Sequence, residues 1–134
     1  MNYNRELLFG RWYRNGIDEQ GNEIVEYADL AADGSFEFTF ITLTANKVVA
    51  GHRSEQTIEQ VVELGDWGLV GDIHFTITKN EMVNDQLYAA DLNNSNNYHA
   101  YKVLKLGHHV FKYQHIESNE IFEMRKVIDK IGHC

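Results

Sequence analysis

Over most of its length the chain alternates apolar and polar residues with a period of two, the spacing that sends side chains to opposite faces of an extended strand. The sharpest case is 35–44, where Phe36, Phe38 and Phe40 fall on one face and Glu37, Thr39 and Ile41 on the other. Residues 73–79 repeat the pattern, with Ile73, Phe75 and Ile77 opposite His74, Thr76 and Thr78. Further strands are predicted over 7–14, 23–30, 53–64, 98–106, 108–116 and 120–128. Within 53–64 the spacing of Ile58, Val61 and Val62 also fits a helix, but the neighbouring β pattern favours a strand. Residues 45–52 read as a loop or a short turn, and 81–90 as a short helix or an irregular loop.

Turn chemistry separates these runs. Asn15-Gly16, Gln20-Gly21-Asn22, Gly65-Asp66-Trp67-Gly68, Gly71-Asp72 and Glu117-Ser118-Asn119 all read as turns, and Asn93 to Asn97 as a polar, mobile loop. Ala32-Asp33-Gly34 is a tight hairpin signal, because Asp-Gly accepts positive φ at little cost. No proline occurs anywhere, so no rigid break interrupts a strand. Eight or nine short strands in sequential order predict an all-β fold, an up-and-down antiparallel β-barrel.

Composition narrows the picture. A chain of 134 residues fits one domain, 1–134. The formal net charge of -8, with scattered basic residues, argues against nucleic acid as a partner. There is no apolar run of membrane-spanning length, and the first residues lack the apolar core of a signal peptide. The single cysteine, Cys134, excludes an intramolecular disulfide and is expected in a frayed tail. These features together predict a cytoplasmic protein.

Candidate chemistry is sparse. A closed barrel needs a plug, and Gly10, Trp12 and Arg125 suit barrel closure, with the guanidinium stacked on the indole. Phe36, Phe38, Phe40, Phe75 and Ile77 are the candidate ligand-binding wall, although the same residues suit a filled core. His109 and His115 share a face with Phe111 and Tyr113 but stand roughly 20 Å apart at strand rise, too far to hold one ion. His74 or His99 could join one of them, but no spacing indicates it, so no metal site and no cofactor are predicted. No nucleophile elbow, phosphate loop or zinc signature is present, and no catalytic residue is assigned. Glu123 and Arg125 share a face and predict a structural salt bridge; Tyr98 and Tyr101 lie on opposite faces, so only one points inward.

Three segments give the chain a family resemblance. Gly10-Arg11-Trp12, preceded by Leu7-Leu8-Phe9, matches the Gly-x-Trp of the first lipocalin strand. Asn97-Tyr98-His99-Ala100-Tyr101 resembles the second motif, Thr-Asp-Tyr-x-x-Tyr, with Asn96-Asn97 in place of Thr-Asp. Arg125 matches the arginine that packs across the tryptophan. The chain thus resembles the lipocalin-like proteins of the calycin group over nearly its whole length, although Gly65-Asp66-Trp67 fits Gly-x-Trp as well. It departs from secreted lipocalins in having no disulfide pair and no helix after residue 128, and from fatty-acid-binding proteins in having no helical lid over 15–26. The resemblance implies a barrel holding a small apolar or amphipathic ligand. Alternatives are a filled-core barrel that self-associates, as a homodimer for example, or contacts another protein, and more remotely a barrel isomerase or cyclase.

Overall fold

The computed structural model describes residues 3–43, 47–49, 52–54 and 57–128. A short 3-10 turn, Arg5–Leu8, leads into eleven strands. They are β1 (Gly10–Ile17), β2 (Glu23–Leu30), β3 (Ser35–Leu43), β4 (Lys47–Val49), β5 (His52–Ser54), β6 (Thr57–Val70), β7 (Ile73–Val83), β8 (Gln86–Ala89), β9 (Tyr98–Leu106), β10 (Val110–His115) and β11 (Ile121–Lys126). Strand order β6-β3-β2-β1-β11-β10-β9-β7, with β6 also paired to β7, closes eight antiparallel strands into an up-and-down barrel. This is the lipocalin-like architecture. β8 is a ninth strand beside the far end of β7, and β4 and β5 form a separate two-stranded ribbon. The expected loop at 45–52 is therefore partly strand; positions 45, 46, 50 and 51 and the Cys134 tail lie outside the described residues. Among the described residues no helix is long and apolar enough to cross a membrane.

Three segments differ from the sequence reading. Asn15-Gly16 is not a turn: both residues lie inside β1, opposite Val25 and Ile24 of β2. The stretch 81–90 is neither helix nor loop: β7 continues to Val83 and returns as β8. Asn84 and Asp85, with φ of 46° and 71°, supply the two positive-φ residues that a tight hairpin turn needs. Residues 65–68 are not a turn either, because β6 runs straight through them with a register shift between Leu64 and Gly65. The glycines mark close approach instead. A Cβ on Gly65 would lie 1.9 Å from the Ile77 carbonyl oxygen and 2.8 Å from the Phe36 ring. A Cβ on Gly68 would lie 2.2 Å from the ring of Phe75, its neighbour across the ladder.

One end of the barrel is packed solid. Leu8, Trp12, Leu30, Phe36, Trp67, Val103, Phe111 and Met124 are buried together there. Each indole N–H bonds a carbonyl, Trp12 to Leu8 and Trp67 to Ala31, both at 2.9 Å. A cation covers each ring: Lys126 Nζ lies 4.7 Å from the Trp12 centroid and the Arg5 guanidinium 4.5 Å from that of Trp67.

Arg125 is not the cap over Trp12. Trp12 stands opposite Lys126 across the β1–β11 pair. Strand alternation then puts Met124 and Lys126 inward and Arg125 outward, where it pairs with Glu123 at 3.4 Å. Gly10 does sit at the plug: its φ is +113°, and a Cβ there would come within 2.7 Å of Lys126 Nζ.

Close approach at Gly65 yields a direct test. Gly65→Ala should destabilise the fold by about 3 kcal/mol, at the upper end of ordinary overpacking. Gly16→Ala, where nothing lies within 4 Å of the added carbon, should change stability by less than about 0.5 kcal/mol. Urea unfolding of both variants checks the contrast.

Candidate functional site

Above the plug the barrel widens into a cavity of about 330 Å³. That lies at the lower end of the range for small-molecule sites. Phe38, Phe40, Tyr101, Tyr113 and Phe122 supply aromatic walls, and Arg14, Glu26, Glu63, His74, Thr76 and His99 supply polar groups.

Of the five wall residues expected from sequence, Phe38 and Phe40 line this cavity. Phe36 lies one step deeper, 3% exposed in the plug, with its ring stacked on Phe38 at 4.1 Å between centroids. Phe75 and Ile77 do not face the interior. The alternation in β7 is as read, but the inward set is His74, Thr76 and Thr78, all 3% exposed or less. Phe75 packs outside across Gly68, where the missing side chain leaves room for its ring.

That choice of face gives the interior a polar stripe. His74 Nδ1 lies 3.3 Å from the Gly68 carbonyl, and burial lowers its pKa to about 4. The ring is therefore neutral near pH 7. With Nδ1–H donating to the carbonyl, Nε2 is left as an acceptor. Thr78 donates its hydroxyl to Glu63 Oε1 at 3.0 Å. Burial raises the Glu63 pKa, and Glu81 and Glu26 push it the same way, against the Thr78 hydrogen bond. On the opposite wall Arg14 is ion-paired with Glu26, and its guanidinium lies 4.8 Å from the Phe122 centroid. Burial works against the Arg14 charge, but the Glu26 hydrogen bond and charge outweigh it and the pKa rises.

Near the cavity His99 and His115 form a pair that no sequence spacing revealed. His99 Nδ1 lies 3.1 Å from His115 Nε2, and the Ser118 N–H donates to His115 Nδ1 at 3.0 Å. With Nδ1 accepting that bond, Nε2 is the His115 nitrogen that can donate to His99. Burial, then the His115 charge, lowers the His99 pKa. Among the described residues no three histidine, cysteine or acidic groups gather as a metal would require. Tyr101 is the inward tyrosine, raised to about 12 by burial and by Glu26, Glu63 and Glu120. Tyr98 points out and donates its hydroxyl to the Leu92 carbonyl at 2.7 Å. Buried Tyr113 is likewise raised, first by burial, and donates to Met124 Sδ at 3.4 Å.

The depressed His74 pKa predicts an acid-labile fold. The unfolded chain binds a proton near pH 6.5 that the folded chain refuses until about pH 4. His74 thus contributes stability above pH 6.5 that is lost as pH falls toward 4, about 3 kcal/mol in all. Urea titrations at pH 7.5 and 4.5 on the parent and on His74→Gln check this. The parent should lose more stability than the variant; equal losses would refute the assignment.

No protein-family model matches the chain, and no curated protein matches it. Among solved structures it is similar to a lipocalin-like protein from Bacteroides uniformis, at 16% sequence identity over 90% of this chain and 99% of that one, with a TM-score of 0.48. By its strand order and closure, the chain has a lipocalin-like fold.

Proposed function

We propose that this barrel binds one small amphipathic molecule in the cavity above the plug. The observation that carries the reading is the division of the interior. One end is filled by the chain's own side chains, whereas the other encloses about 330 Å³ between aromatic rings and converging polar groups. A filled-core barrel would carry the plug packing through to both ends. Apolar walls desolvate a ligand, and a few fixed polar groups orient it. The setting we propose is cytoplasmic, on the single cysteine of the sequence, with one barrel domain per chain.

Titration with N-phenyl-1-naphthylamine, an apolar dye uncharged at neutral pH, tests the reading. Its fluorescence should rise saturably with the parent protein. Ile24 lines the cavity, and Ile24→Trp should reduce dye affinity at least tenfold by occupying that space. A folded parent protein that takes up no dye would overturn the proposal.

A further inference from the structure

The charge around the cavity is not balanced, and that imbalance selects a ligand class. Arg14 and Glu26 cancel as an ion pair. His74 is neutral at pH 7, and the His99 pKa is lowered. Glu63 remains, half-buried at the cavity wall, and takes part in none of the ion pairs among the described residues. Its partner across the β6–β7 ladder is a second carboxylate, Glu81. We propose that the cavity takes a small aromatic or apolar primary amine as its cation, with the ammonium group on the Glu63 carboxylate and the apolar body among Phe38, Phe40, Tyr101 and Phe122.

This inference rests on the binding reading above and adds the ligand's charge. Two further observations point the same way. Thr76 is 2% exposed and lines the cavity, yet its hydroxyl makes no hydrogen bond to the described residues. Among the described residues no enclosed side-chain polar atom lacks a partner, so that hydroxyl opens to the cavity space. It lies on the same inward face of β7 as Thr78, the residue that holds Glu63. Beside it His74 keeps Nε2 as an acceptor. His74 Nε2 and the Glu63 carboxylate accept, and the Thr76 hydroxyl can accept as well as donate, a set able to take the several N–H donors of an ammonium. The aromatic walls add ring faces, which attract cations and repel anions.

The upward shift of the Glu63 pKa agrees with a carboxylate that has desolvation and like-charged neighbours but no counter-cation among the described residues. A bound ammonium would supply one. A net charge of -8 also raises the local concentration of cations around the protein. At protein packing density the volume accommodates roughly fifteen non-hydrogen atoms, so a phenylalkylamine fits with room to spare.

Calorimetric titration at pH 7.5 with three phenylethyl probes that differ in their polar group decides the matter: 2-phenylethylamine, 2-phenylethanol and 3-phenylpropanoate. The amine should bind at least tenfold more tightly than the alcohol, and the carboxylate more weakly than either. Glu63→Gln, which keeps the side-chain size and an acceptor for Thr78, should lower amine affinity at least tenfold and leave the alcohol within twofold. Glu123→Gln on the outer face should change neither. If Glu63→Gln fails to fold, the ranking of the three probes on the parent protein still decides. Equal binding of alcohol and amine, or preference for the carboxylate, overturns the amine assignment. Uptake of the apolar dye without amine preference overturns this inference alone, whereas no uptake of dye or probe overturns the binding reading with it.

Discussion

Burying an indole requires an acceptor for its N–H, and the way Trp12 meets that requirement organises the barrel. Its acceptor is the Leu8 carbonyl, which holds the Arg5–Leu8 turn across the barrel end. The open face of the ring is covered by Lys126, whose ammonium also donates to the Phe9 carbonyl. One side chain thus ties the end of β11 to the entry of β1. The β1–β11 ladder is registered at only two positions, Trp12 with Lys126 and Tyr13 with Arg125. Closure therefore relies on this cation and its contacts as well as on backbone hydrogen bonds. Trp67 is secured in the same manner on the other side, by the Ala31 carbonyl and by Arg5.

Solid packing at one end leaves the cavity at the other, and β6 and β7 link the two. Gly65 lets the Phe36 ring and the β7 backbone come close enough to finish the plug. Gly68 makes room on the outer surface for Phe75. With the aromatic of β7 accommodated outside, its inner face is free to carry His74, Thr76 and Thr78. The same pair of glycines therefore serves the core on one face and permits a polar interior on the other.

Periodicity made the barrel legible in the sequence. Alternation located β2 and β9 at their observed bounds and β3 to within a residue, and sequential order implied the meander. Alternation cannot say which of two faces is the inner one, however. For β3 the aromatic face is inner, as its composition suggests; for β7 the apolar face is outer, because a glycine on the neighbouring strand receives Phe75. Arg125 is the same kind of difference by one residue, since parity with Met124 turns Lys126 inward in its place. The site residues Arg14, Glu26 and Glu63 fall on the inward parity of Trp12, Ala28 and Gly65, a signal readable only once the face and the register are known. The His99–His115 contact joins two strands and has no trace in sequence spacing.

A carboxylate placed between aromatic walls and a second carboxylate weakens the fold, because desolvation and like charge both oppose its ionisation. The plug shows that this chain can fill an interior with apolar groups and cover its two indoles with cations. Glu63 is treated differently: it receives a hydroxyl from Thr78 but no cation among the described residues. Arg14, the guanidinium on the cavity wall, is held by Glu26 instead. Local departures from stable packing concentrate where a protein meets its ligand. In this barrel the departure lies at the cavity, on the side where His74 and Thr76 also present polar atoms.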